Sequence, residues 1–223
     1  MKPTKFLSLI LSALAVALVA APAASAAGTV ATGKACYAAD GTEGVKVGVT
    51  GAGFTPGEAV FAQIPAPGGL AGFVETTVKP DGTIAAAVDH VFPGSIDPVA
   101  EKMTMQIKGV LSDVIIAEST FRLTNLAVAT KPPTARYSKV VKYIFAGFRP
   151  NKPIFGHYSR HGKVVLTHKF GRAKGPCGIL HTQAKLFPGH GPEGAKYKVQ
   201  FDDSKKLNPK AHPKIVTSLG SVF

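Results

Sequence analysis

The sequence predicts an all-β fold of two β-sandwiches in tandem, and three observations predict it. The second half of the chain repeats the plan of the first at an offset of about 94 residues. Between the repeat's landmarks the apolar residues come in short alternating runs punctuated by Gly and Pro. No long window carries a helical period, so the runs read as strands.

The repeat is carried by three matches in the same order. Gly53-Phe54-Thr55-Pro56-Gly57 aligns with Gly147-Phe148-Arg149-Pro150-Asn151. Val91-Phe92-Pro93-Gly94 aligns with Leu186-Phe187-Pro188-Gly189, one residue out of step. Lys102-Met103-Thr104-Met105-Gln106-Ile107 aligns with Lys196-Tyr197-Lys198-Val199-Gln200-Phe201, back in step. A slip of one residue across three ordered matches is hard to obtain by chance.

In chain order, residues 1–26 have the parts of a secretory signal peptide. Lys2 and Lys5 lead, an apolar run spans Phe6 to Ala21, and Ala24-Ser25-Ala26 supplies the small-residue cleavage site. The run is shorter than the roughly 20 residues a spanning helix needs. Cleavage before Ala27 is expected, giving a secreted chain with no transmembrane segment and the option of association with the cell surface.

The first domain is expected over 27–125. Val45, Val47 and Val49 share one face of its first strand, and Ala59 to Ile64 follows the Gly51-Ala52-Gly53 turn. Phe73 to Val78 returns, Pro80-Asp81-Gly82 turns, and Thr83 to Val88 runs on. Met103, Met105 and Ile107 alternate with polar neighbours, and Ile115 to Leu123 closes the unit. A linker is expected over 126–133, because Lys131-Pro132-Pro133 favours an extended, unpaired segment.

The second domain is expected over 134–204. Val140 to Phe145 precedes the Gly147-Phe148 turn, and Ile154 to Tyr158 pairs with Lys163 to Phe170 across Arg160-His161-Gly162. In that returning strand Val164, Leu166, His168 and Phe170 are expected inward, with Lys163, Val165, Thr167 and Lys169 outward. Ile179 to Leu186 and Tyr197 to Phe201 complete the domain. Residues 205–223, with lysines, two prolines and little alternation, read as a loosely held basic tail. About seven short strands per domain, with turn signals every 8 to 12 residues, is the pattern of an immunoglobulin-like sandwich.

The run Gly51-Ala52-Gly53-Phe54-Thr55-Pro56-Gly57-Glu58-Ala59-Val60 resembles the strand-turn-strand motif of immunoglobulin-like modules in secreted and surface proteins of Gram-positive bacteria, actinobacteria especially. The motif specifies a fold more than a function. The resemblance implies a spacer, an adhesion unit or an attachment to a catalytic domain.

Charge divides the chain. The formal net charge is +13. Gly28 to Asn125 carries 6 Lys and Arg against 10 Asp and Glu, a balance of −4, whereas Leu126 to Phe223 carries 18 against 3, a balance of +15. Arg149, Lys152, Arg160, Lys163, Lys169, Arg172, Lys174, Lys196 and Lys198 are expected to form a basic surface that concentrates polyanions. Teichoic acid, acidic polysaccharide and DNA are the candidate partners, and the sequence offers no sign of a specific protein partner. Simple solubility is the competing account of the same charge. The chain has no Trp, which weakens a sugar-stacking site, although Tyr158 could serve one.

Two cysteines, Cys36 and Cys177, are expected to bridge the two domains in an oxidising compartment. Two buried free thiols and a bridge between chains are the alternatives. Catalytic and metal readings find little support. His157 and His161 are four apart on a strand and turn, too far for one zinc, and no third ligand accompanies His168. His168 is expected to pack inward with a hydrogen bond, and the other histidines to lie at the surface. His161-Gly162 and Cys177 lack the Ser and His that envelope transpeptidases place before their nucleophile. No serine-hydrolase elbow, carboxylate pair or phosphate loop is present. The expected protein is therefore secreted and non-catalytic, without metal or cofactor, binding or adhering to anionic polymers. A ligand-free spacer and a Cys-dependent envelope-modifying enzyme are the alternatives.

Overall fold

A computed structural model describes residues 28–39, 43–67, 69–94, 97–189 and 195–219. Residues 1–26, expected to be a signal peptide, lie outside the described residues. All regular structure among the described residues is β, in 15 strands.

The first sandwich contains β1 (Thr29–Thr32), β2 (Cys36–Ala39), β3 (Val45–Ala52), β4 (Ala59–Ala66), β5 (Gly69–Thr77), β6 (Ile84–Val91), β7 (Ala100–Gly109) and β8 (Ile115–Asn125). One sheet has the order β1-β3-β6 and the facing sheet the order β2-β8-β7-β4-β5. β2 runs parallel to β8, while the other pairs are antiparallel. The second sandwich contains β9 (Ala127–Lys131), β10 (Val140–Ala146), β11 (Pro153–Arg160), β12 (Lys163–Arg172), β13 (Leu180–Lys185), β14 (Tyr197–Asp202) and β15 (Ile215–Leu219). Its sheets have the orders β13-β10-β9 and β12-β11-β14-β15. In the second sandwich the first, second and fifth strands face the third, fourth, sixth and seventh, and the first sandwich has the same plan plus one strand, β2, which joins the edge of its larger sheet beside β8. Both are two-sheet sandwiches of the immunoglobulin-like kind, an architecture whose strand topology varies.

The matched segments of the sequence occupy the same places in the two sandwiches. Phe54 and Phe148 are buried in the turns between β3 and β4 and between β10 and β11. Gly57 and Asn151 both take positive φ there, 79° and 61°, and both backbone amides bond across, to Val78 and Ala173. Asn tolerates the left-handed region better than other side chains, which lets it stand where the first domain has Gly. The hairpin between β11 and β12 turns on His161 and Gly162, both with positive φ.

Each sandwich has its own core, and the two differ in kind. The first is mainly aliphatic, with Val47, Val49, Val60, Ile64, Ile84 and Ile107 fully buried or nearly so. The second is aromatic. Tyr143, Phe145, Phe170 and Phe201 interlock with centroid separations from 4.7 to 6.5 Å. Gly156 leaves the space they fill, since a Cβ there would stand 2.8 Å from the Phe170 ring. Rings of this size supply the burial that a Trp would otherwise bring.

Three features of the fold depart from the sequence reading. The 126–133 segment is not an unpaired linker: β9 occupies 127–131 and pairs with β10, so only Leu126 separates the last strand of one sandwich from the first of the next. The prolines that suggested a linker fall just beyond the ladder, where their missing donors cost nothing. The segment expected to be a loose tail, 205–223, is described as far as Leu219, and in that part β15 pairs with β14 along five residues. Its β-branched run Ile215-Val216-Thr217 suits an edge strand. In β12, Val164 is exposed together with Val165, because the register shifts at Tyr158/Ser159 and breaks the alternation.

The junction between sandwiches is tight. The Leu126 amide donates to the Ala39 carbonyl at 2.9 Å, and Leu126 packs against the second core. A Cβ on Gly147, whose φ is 80°, would meet Leu126 Cα at 2.8 Å and Ala38 Cβ at 3.1 Å. Cys36 and Cys177 form a disulfide across this junction, so neither cysteine is free. Its sequence separation of 141 residues corresponds to about 5 kcal/mol in the chain-entropy model. The unreduced protein is expected to be lighter than the reduced form by the mass of two hydrogens. The Cys36→Ser/Cys177→Ser variant should melt at a lower temperature, with about 5 kcal/mol as the upper limit of the loss. Two freely alkylated thiols in the native protein would contradict this.

Candidate functional site: the basic face of the second domain

The nine expected basic residues are all exposed, but they form two groups rather than one patch. Arg160 and Lys163 face each other at the β11–β12 hairpin. Lys198 pairs with Ser159 one strand away, and Lys196 immediately precedes β14. Arg149, Lys152, Arg172 and Lys174 lie at the opposite end, where the chain enters β11 and leaves β12. Lys169, opposite Phe155, stands between the groups.

Residues 203–214, joining β14 to β15, form a strap that the sequence reading missed. The outward residues of β14 bind it: Gln200 Nε2 donates to the Asn208 carbonyl at 2.7 Å, and the Ser204 amide donates to Asp202 Oδ1 at 2.7 Å. Arg149 ties down both ends, pairing with Asp203 at 3.4 Å and donating to the His212 carbonyl. Ala211, within the strap, is buried. The strap exposes Lys205, Lys206, Lys210 and Lys214, adding four cations to those expected.

Under the strap lies His157, which was expected at the surface. It points to the outer side of its sheet, opposite Gln200 and Thr167, yet it is 0% exposed because the strap covers it. With hydrogen on Nε2, the ring donates to the Ser204 carbonyl at 3.0 Å and stands 3.4 Å from Asp202 Oδ1. Nδ1 then accepts from the Thr167 hydroxyl at 3.0 Å. Asp202, also 0% exposed, accepts from Gln200 Nε2 at 2.6 Å as well. Buried polar groups with this many partners hold a conformation because exposure of any one leaves the others unsatisfied.

His157 and His168 do not converge. His168 pairs with Gly156 in register and faces the core, where its ring meets Phe170 edge-on at 4.8 Å. Among the described residues His168 has no hydrogen-bond partner, unlike the reading from sequence. Burial lowers its pKa below the ordinary histidine value. No group of three or more His, Cys, Asp or Glu side chains comes together among the described residues. Cys177 is in the disulfide and His161 is at the exposed hairpin tip, so these two form no nucleophile pair. Tyr158 is fully buried, which removes it as a stacking platform. Among the described residues its hydroxyl has no partner at hydrogen-bonding geometry, and burial raises its pKa strongly. Burial likewise pushes the neighbouring Tyr143 phenol up to about 12.

No family model matches the chain. No curated protein matches it either. Among solved structures it is similar to a purple acid phosphatase from yellow lupin (Lupinus luteus) seeds, at 8% identity and a TM-score of 0.32, over 86% of this chain and 39% of that one. It is similar to a tetra-tandem repeat in the extending region of a large adhesion protein, at 14% identity and a TM-score of 0.28, over 86% and 47%. The human OSCAR ligand-binding domain is similar at 11% identity and a TM-score of 0.31, over 86% and 97%. The chain thus spans less than half the length of the first two. The fold stands on the strand order itself.

His157→Ala should cost about 2 to 4 kcal/mol by leaving buried partners unpaired. It should also speed tryptic cleavage at Lys205 and Lys206 by loosening the strap; cleavage at the wild-type rate would show that the strap does not depend on the ring. His168 gives a pH signature. Its folded pKa lies below its unfolded one, so stability is complete above about pH 6.5 and is lost as the pH falls through the folded value. Thermal melts at pH 7.5 and 5 should therefore differ less in His168→Gln than in the wild type.

Proposed function

We propose that the protein is secreted, is non-catalytic, and attaches through its basic second domain to anionic polymers of the cell envelope or extracellular space. The observation that carries this reading is the fate of the domain's carboxylates. Asp202 is buried against His157 and Gln200, and Asp203 is paired with Arg149. These are the only described carboxylates after Glu118. Lys152, Arg160, Lys163, Lys169, Lys174, Lys196 and Lys198 are exposed and, among the described residues, take part in no ion pair. Cations left without acidic neighbours keep their full field for a polyanion.

Secretion is supported by the disulfide, which persists in oxidising compartments, and by the leader read in the sequence. Among the described residues no helix is long and apolar enough to cross a membrane. The likeness of the Gly51 to Val60 motif to modules of Gram-positive surface proteins makes teichoic acid the first polymer to try. A spacer reading is favoured by one feature, the single-residue junction, which suits a stiff rod as well as a binding module.

Sedimentation or electrophoretic binding to teichoic acid, heparin and DNA over a salt series tests the proposal. Log affinity should fall linearly with log salt. Charge reversal of Lys163, Lys169 and Lys198 should flatten that slope by about 2 to 3. Absence of binding at low salt would leave only the spacer.

A further inference from the structure

A second, more closed site lies where the sandwiches meet. The outer face of the β13-β10-β9 sheet and residues 97–100 at the start of β7 enclose a cavity of about 430 Å³. Four basic side chains line it: Lys131 on β9, Lys142 on β10, His181 on β13 and Arg122 on β8 of the first sandwich. Lys131 and Lys142 are direct cross-strand partners, so their like charges share one sheet face at close range. Such a pair destabilises a sheet unless something neutralises it. None of these four side chains has a hydrogen bond or ion pair among the described residues. Asp97, with partners of its own, is the single carboxylate in the lining.

The rest of the lining is apolar. Ile144 and Ala129 are paired in register on the sheet face, Ile179 adjoins them, and Pro98, Val99 and Ala100 form the opposite wall. Val99, in that wall, is 48% exposed and so is open to contact by a ligand. The larger cavity on the other side of the junction, about 720 Å³, is a weaker candidate. Its Lys46 and Arg149 are already paired, with Asp89 and Asp203.

We propose that this cleft binds a small amphiphilic anion, a phosphate monoester with a short aliphatic body. The dianionic head would sit between Lys131, Lys142 and Arg122, and the body would lie on Ile144, Ile179 and Val99. Three cations against one carboxylate match a dianion, and a floor of aliphatic side chains without Phe, Tyr or Trp matches an aliphatic body. The ligand bridges both sandwiches, because Arg122 and Val99 belong to the first and the lysines to the second. This site is independent of the polyanion surface, which faces the other sheet.

Octyl phosphate is the probe, followed by amide chemical-shift changes in the full mature protein. Saturable shifts are expected at Ala129, Ile144, Ile179 and Val99, together with a rise in melting temperature. Octanol and inorganic phosphate should each bind about ten-fold more weakly or worse. Lys131→Ala/Lys142→Ala should weaken octyl phosphate about ten-fold or more without lowering the melting temperature of the unliganded protein, because it removes a repulsion. Lys163→Ala/Lys169→Ala should leave octyl phosphate binding unchanged, separating this site from the polymer surface. Equal affinity in the Lys131/Lys142 variant, shifts confined to other residues, or binding only to phosphatidic acid vesicles would overturn the proposal.

Discussion

The rest of the structure depends on the shortness of the junction. β8 ends at Asn125 and β9 begins at Ala127, so one residue must turn the chain from one sandwich into the next. That brevity forces the backbone of Leu126 against Ala38, Ala39 and Gly147, where a side chain on Gly147 would not fit. It also brings β2 close enough to the β12–β13 loop for Cys36 to meet Cys177. Hydrogen bond, close packing and covalent bond all act on one small region, and both clefts between the sandwiches exist because it is held there.

The second domain shows how few acids can organise a basic surface. Asp202 and Asp203 are adjacent, and their side chains take different partners. One is buried with His157, Gln200 and the Ser204 amide, while the other meets Arg149. Both fasten the strap, so neither dilutes the positive field outside. The histidine beneath acts through the placement of its two ring nitrogens: one serves the strap carbonyl and the other serves Thr167 on the neighbouring strand. A buried network of this kind is stable only when complete.

Much of the fold was legible because sandwiches announce themselves locally. Alternation located the faces of β7 and β14, and the Gly-Phe-x-Pro turns located the corners. What failed was whatever depended on partners far away in sequence. His157 occupies an outward position by alternation, and only a strap about 50 residues later buries it. β9 was obscured by the prolines that follow it, and with it the pairing of Lys131 with Lys142. The β-bulge that turns Val164 outward leaves no mark in composition. The run Ile215-Val216-Thr217 was a usable strand signal, outweighed by the lysines and prolines of the strap before it.

A charge balance of −4 in one half and +15 in the other, with the two sandwiches tied at the middle by a disulfide, makes the molecule an electric dipole. Near a negatively charged wall such a body experiences a torque as well as an attraction. It is turned basic end first before any contact forms, within the Debye length of about 8 Å at physiological ionic strength. The acidic sandwich is then presented outward, so that a layer of these molecules would share one polarity and offer a different surface to the medium from the one that holds it down.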